Sequence, residues 1–201
     1  MTRIVAGTAG GRRLRIPPAG TRPTSARVRE AVFSMLEHRL GPWSDQVVLD
    51  AFAGSGALGL EAASRGARAV LLLEQDPRAV AVLRSNAAAV GGGVTRVQCA
   101  DAWTLGARPR SSTTSAPVTL LFVDPPYAEP NDRIAAWLTA LSNADWLALD
   151  CTAVVERPVR AAHFSWPPHW RALTDRRYSD TVIHVGQHCG ILPDDQREES
   201  R

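Results

Sequence analysis

The chain has 201 residues, 45% of them hydrophobic and 21% charged, the proportions of one ordinary globular domain and too apolar for wholesale disorder. No stretch approaches the roughly 18 uncharged apolar residues of a membrane span, no apolar run follows Arg3 as a secretory signal requires, and Cys99, Cys151 and Cys189 are too few and too far apart for a disulfide framework or a cysteine zinc site. A cytoplasmic protein in a reducing compartment is expected.

The net charge of +3 is unevenly spread. All 23 basic residues are arginine, and the first 30 residues hold seven of them against the single acid Glu30. A basic segment ahead of a mildly acidic body points to an anionic partner that meets the N-terminus first.

In chain order, Arg3–Ala6 and Arg12–Ile16 alternate around a glycine-rich turn and read as a β-hairpin. Pro17-Pro18 ends it, and residues 21–24 form an extended connector. Apolar residues at helical spacing predict a helix over 25–40, stopped by Gly41-Pro42. Strands then alternate with helices: strands at 47–52, 69–74, 94–99, 118–123 and 152–156, helices at 57–65, from Pro77 to the glycines at 91–93, and at 132–141. The run Ala69–Glu74 has no polar alternation, as expected of a strand covered on both faces. Residues 106–117 read as a polar loop, and 171–178 with 181–186 as a closing antiparallel pair. Strands separated by helices mean parallel pairing, hence a three-layer α/β sandwich with an antiparallel strand at its end. Three divisions are expected: a basic hairpin arm over 1–22, a catalytic domain over 23–190 and a charged tail over 191–201.

The first strand turns into its helix through Asp50-Ala51-Phe52-Ala53-Gly54-Ser55-Gly56-Ala57-Leu58-Gly59, and Glu74 ends the second strand 20 residues beyond Gly54. Glycines admit a ligand close to the backbone, and a carboxylate after the second strand can accept from ribose hydroxyls. That much is compatible with a dinucleotide. Asp50 favours a ligand carrying an ammonium group, such as S-adenosyl-L-methionine, and Asp101 after the third strand is placed to accept from an adenine amine. The fourth strand ends in Asp124-Pro125-Pro126-Tyr127. Prolines restrict this backbone, so the Asp124 carboxylate and the Pro125 carbonyl can converge on the two hydrogens of an exocyclic amine, with Tyr127 offering a ring on which the base stacks.

The glycine loop together with Asp124–Tyr127 resembles the class I amino-methyltransferases that act on adenine N6, cytosine N4 or guanine N2. Arg3-Ile4-Val5-Ala6-Gly7, Thr21-Arg22-Pro23-Thr24, Arg27–Phe33 and Tyr178-Ser179-Asp180-Thr181 are similar, more narrowly, to the small bacterial RsmD family, which methylates guanine N2 of small-subunit (16S) ribosomal RNA. The resemblance spans about residues 1–186. It implies a Rossmann-like fold with a mostly parallel seven-stranded sheet. It implies S-adenosylmethionine held by Thr24, Asp50, Phe52, Gly54, Ser55, Gly56, Glu74 and Asp101, and a target amine held by Asp124, Pro125, Pro126 and Tyr127. Ribosomal RNA, within small-subunit particles, is the expected partner of a monomeric enzyme, through Arg3, Arg12, Arg13, Arg15, Arg22 and Arg27. A DNA amino-methyltransferase, a non-catalytic nucleic-acid-binding protein and an NAD oxidoreductase are the competing readings. The five histidines share no metal spacing, and Trp166 and Trp170 read as packing residues before base-stacking ones.

Overall fold

The most apolar strands of the sequence occupy the middle of the sheet, because both their faces must be covered. The structure, a computed structural model, describes residues 2–17, 25–90, 92–108, 110 and 116–190; Arg22, Thr24 and the expected tail at 191–201 lie outside these. Its nine strands are β1 (Thr2–Arg3), β2 (Arg13–Leu14), β3 (Val47–Asp50), β4 (Ala69–Glu74), β5 (Thr95–Cys99), β6 (Val118–Val123), β7 (Leu147–Pro158), β8 (Trp170–Tyr178) and β9 (Thr181–His188). Among the described residues, four α-helices accompany them: α1 (Ala26–Glu37), α2 (Ala57–Ser64), α3 (Pro77–Val90) and α4 (Asn131–Asn143).

Seven strands form one sheet in the order β5-β4-β3-β6-β7-β9-β8. The first five are parallel, and β9 runs antiparallel to both β7 and β8. Alternation along each strand divides the core in two. Val48, Leu72, Phe122, Val154 and Ile183 face α1, α2 and α3; Leu49, Leu73, Val123 and Val155 face α4. The expected three-layer architecture, with its antiparallel strand, is what the chain forms.

Element ends differ where local sequence hides a tertiary contact. β7 begins at Leu147, five residues before the expected 152, because it crosses a register shift opposite Val118–Leu120 and a left-handed residue, Asp150 (φ 65). An exposed Leu149 beside Asp150 masks that strand in the sequence. Trp166 and Trp170 pack on each other, with rings 5.3 Å apart and inclined by 22°. Trp166 lies against Gly186 of β9, where a Cβ would come within 2.6 Å of the indole.

The basic hairpin is bolted to the domain. β1 and β2 share only two residue pairs, too few for a ladder that stands alone. Ile4 and Leu14 are buried in the same core as α1 and α2. Glu61 of α2, with no exposed surface, accepts from the Val5 and Ala6 amides at 2.7 and 3.0 Å and from Arg65 Nε at 2.9 Å. The amide of Thr8 donates to the Ser64 carbonyl at 2.8 Å. Gly7 (φ 82) passes so close to that carbonyl that a Cβ would sit 1.9 Å from it, so only glycine fits this turn. Arg29 of α1 donates to the Arg3 carbonyl, and burial lowers its pKa while Glu61 holds its charge.

Candidate active site

A cleft of about 510 Å³ opens at the C-terminal ends of β3, β4, β5 and β6, where ligands bind in open α/β sheets. Ala51, Phe52, Ala100 and Ala102 give it apolar surface, while Glu74, Asp76, Asp101 and Asp124 give it carboxylates; among the described residues no cation lines it. Its size is that of a small-molecule site.

The glycine loop is held on both sides. Gly54 N–H donates to Glu74 Oε2 at 3.0 Å, and the other oxygen of Glu74 accepts from Asp76 N at 2.9 Å. One carboxylate thus ties the loop to the start of α3 while facing the cleft, with lone pairs left for a ligand's hydroxyls. Gly54 (φ 53) has open space where a Cβ would stand. Gly56 adopts the left-handed conformation (φ 84) as N-cap of α2.

Asp50, which the sequence offers as an ammonium partner, lies behind the loop. It is 2% exposed, and its carboxylate accepts from Gly59 N–H at 2.9 Å. Glycine at 59 leaves room for this contact: a Cβ there would stand 3.2 Å from Asp50 Oδ2 and 2.3 Å from Leu72. Burial pushes Asp50 up to about 7, the Gly59 hydrogen bond opposes that, and the nearby Glu74 adds to it. Ser55 and Gly56 are likewise buried and do not line the cleft. Phe52, Glu74 and Asp101 do. Asp101 caps the 3₁₀ turn at 102–107 by accepting from Trp103 N at 3.0 Å.

On the opposite wall stand Asp124, Pro125, Pro126 and Tyr127. Pro125 is buried, Tyr127 is 49% exposed, and the Pro126 carbonyl accepts from Glu129 N at 2.9 Å to close the corner. The exposed arginines Arg3, Arg12, Arg13, Arg15 and Arg27 lie outside this cleft, on the hairpin and the first turn of α1.

Two supports went unread in the sequence. Asn86, buried in α3, donates through Nδ2 to the Ser55 carbonyl at 2.8 Å and to the Arg15 carbonyl at 2.9 Å, and accepts from Arg15 N at 2.9 Å. It joins the hairpin's exit to the glycine loop. Arg157, 2% exposed near the end of β7, donates through Nε to Asn131 Oδ1 at 2.9 Å and through Nη2 to the Glu129 carbonyl at 2.5 Å. Burial lowers its pKa; the charges of Asp124 and Glu129 oppose that. Arg157 therefore braces the Asp124 corner from behind. Replacing it with glutamine should lower kcat about ten- to a hundred-fold through misplacement of that corner. Affinity for S-adenosylhomocysteine, measured by calorimetry, should hold; an unchanged kcat in a folded variant would refute the brace. No signal short of the fold marks Arg157, because a basic residue ending a strand is ordinarily exposed.

The model of the family described as Conserved hypothetical protein 95 matches residues 2–187. The chain is 36% identical over 169 residues to ribosomal RNA small subunit methyltransferase D of Escherichia coli (strain K12), covering 84% of this chain and 80% of that protein. It belongs to the RsmD family of ribosomal RNA methyltransferases. The solved structure of the Escherichia coli protein yhhF superposes on this RsmD-family chain with a TM-score of 0.80 and 30% identity, over 94% of this chain and 99% of that one. A Salinibacter ruber RNA methyltransferase, solved in complex with S-adenosyl-L-homocysteine, shares the fold at a TM-score of 0.62 and 16% identity, over 87% and 98% of the two chains.

The cleft of this RsmD-family protein fits S-adenosyl-L-methionine. The lining carboxylates suit a molecule rich in hydroxyl and amine donors and bearing positive charge, whereas a dinucleotide's pyrophosphate would meet four acids and, among the described residues, no cation. The apolar surface of Phe52 and its neighbours suits an adenine ring.

Proposed function

We propose that this protein transfers the methyl group of S-adenosyl-L-methionine to the exocyclic N2 amine of a guanine in small-subunit (16S) ribosomal RNA. The observation that carries this reading is the position of the Asp124–Tyr127 corner, which opens on the same cleft as Glu74 and Asp101. A proline-stiffened acceptor pair thereby faces the carboxylates that would hold the cofactor.

When bound, the cofactor supplies an electrophilic sulfonium methyl group. Glu74 would accept from its ribose hydroxyls and Asp101 from its adenine amine. Asp50 would act on its ammonium end only indirectly, through the loop that it pins at Gly59. Thr24, which the resemblance also assigns to the cofactor, lies outside the described residues.

The Asp124 carboxylate and the Pro125 carbonyl accept the two amine hydrogens of the target base and orient its lone pair into the cleft. As the amine nitrogen becomes tetrahedral and positive, those acceptors bind it more strongly than they bind the flat ground state, which is the source of rate enhancement. The half-exposed Tyr127 ring stacks on the base, worth roughly 1–3 kcal/mol for an unpaired nucleotide. A guanine inside a duplex must be flipped to reach this depth. The proton then leaves to water, so no general base is required.

Arg3, Arg12, Arg13, Arg15, Arg22 and Arg27 supply phosphate contacts without sequence choice. No helix among the described residues is long and apolar enough to cross a membrane. We assign the enzyme to the cytoplasm, acting as a monomer on RNA within small-subunit particles.

Labelled methyl transfer to immature small subunits, naked ribosomal RNA and DNA, followed by nucleoside mass spectrometry, tests the reading. The expected product is N2-methylguanosine from ribosomal RNA. Label in DNA, or on adenine N6, would replace the reading with another amino-methyltransferase.

A further inference from the structure

A second concavity, of about 470 Å³, lies on the α1 face of the sheet between α1 and the edge strand β8. Ala31, Met35, His38 and Arg39 line it from α1 and its C-terminal turn, and Arg176 and Tyr178 from β8. No carboxylate contributes to its lining among the described residues. By contrast, Arg65 pairs with Glu37 and Glu61, and Arg133 with Glu129. Arg39 and Arg176 are exposed and, among the described residues, in no ion pair.

Strand register relates this groove to the cleft. Arg176 stands opposite Ile183, Ile183 opposite Glu156, and Val155 opposite Val123. β8 runs parallel to β6 and β7, so Arg176 and Asp124 lie toward the same end of the sheet, three strand spacings or roughly 14 Å apart. Glu156, Ile183 and Asp124 also bound one small void beneath α1. A polynucleotide whose base occupies the Asp124 corner would find the groove beside the point where its backbone leaves.

We propose that this groove binds the phosphate backbone of the substrate RNA a short way along the strand from the target guanine, with Arg39 and Arg176 clamping phosphate and the Tyr178 ring lying against a ribose or an unpaired base. The proposal rests on the RNA reading above and extends it to a subsite on the far side of α1 from the hairpin. Arginine is suited to the task because its planar guanidinium donates a matched pair of hydrogen bonds to phosphate oxygens. An RNA strand fits better than a protein surface: the two arginines of the lining are guanidinium cations with no acid beside them in it, and a strand already anchored in the cleft reaches it without a second docking event.

The test uses the full chain with both charges reversed, Arg39→Glu and Arg176→Glu, in filter binding to small-subunit ribosomal RNA across a salt series. The dissociation constant should rise at least about ten-fold, and the slope of log K against log salt should shrink by about 2, near one for each lost phosphate contact. Arg39→Lys with Arg176→Lys should retain most of the affinity. Tm and calorimetric affinity for S-adenosylhomocysteine should match the parent, since neither residue is buried or lines the cleft. Unchanged RNA affinity and salt slope would overturn the proposal. So would intact RNA binding with transfer lost only on assembled particles, which would assign the groove to a ribosomal protein. A parent enzyme that neither binds nor methylates ribosomal RNA would instead bring down the functional reading, a result recognisable before any variant is made.

Discussion

Asp124→Ala should abolish methyl transfer, lowering kcat by at least about a thousand-fold, while the protein stays folded and still binds S-adenosylhomocysteine. Removing one preorganised partner of developing charge costs roughly 10²–10³ in rate, and this substitution deletes the carboxylate altogether. Asp124 stands at the end of β6 with a partly exposed side chain, outside the packed core, so truncation leaves little cavity. Asp124→Asn keeps one acceptor oxygen and should retain more activity than the alanine variant. Single-turnover transfer to ribosomal RNA, with calorimetry of cofactor-product binding, separates chemistry from binding. Activity within a few-fold of the parent would sink the proposed mechanism.

Glu61→Ala should be the most destabilising single change at the hairpin. The Glu61 carboxylate is fully buried and serves the Val5 and Ala6 amides, Arg65 Nε and, at 4.0 Å, Arg29 Nε. Its loss strands the buried Arg29 and two amides and leaves Arg65 with Glu37 alone. Breaking a buried pair from one side costs about 3–5 kcal/mol, which for a domain of this length is a fall in Tm of roughly 10 °C. Glu61→Gln keeps one acceptor for the amides and should fall between. Differential scanning calorimetry reads the effect, and protease sensitivity within residues 2–17 locates it; an unchanged Tm would show that the hairpin is held by Ile4 and Leu14 alone. The same contacts decide how the arginines' role in RNA binding must be tested. Deleting the segment would open the core, so reversing Arg3, Arg12 and Arg13 by substitution is the informative experiment.

Much of the fold was legible because its determinants are local. Ala69–Glu74 and Val118–Val123 are unbroken apolar runs, and both strands have the bounds the sequence predicts. Asp76-Pro77 opens α3 where a cap followed by proline should. The cleft walls were readable in the same way, since Glu74, Asp101 and Asp124 each follow a strand, and parallel strands bring their ends together. The early start of β7 was not legible, because a register shift and a left-handed Asp150 break its alternation.

By itself the sequence determined the layered sheet, the loops at its C-terminal edge and the acids that face one another across the cleft, because periodicity and loop chemistry act over a few neighbouring residues. Only the tertiary structure decided that the basic hairpin is part of the core, that Asp50 pins Gly59 behind the glycine loop, and that Arg157 braces the Asp124 corner. Those facts depend on contacts between residues far apart in the chain. Whether a charged side chain is buried or free depends on which distant partner the packing brings to it, and no local pattern encodes that.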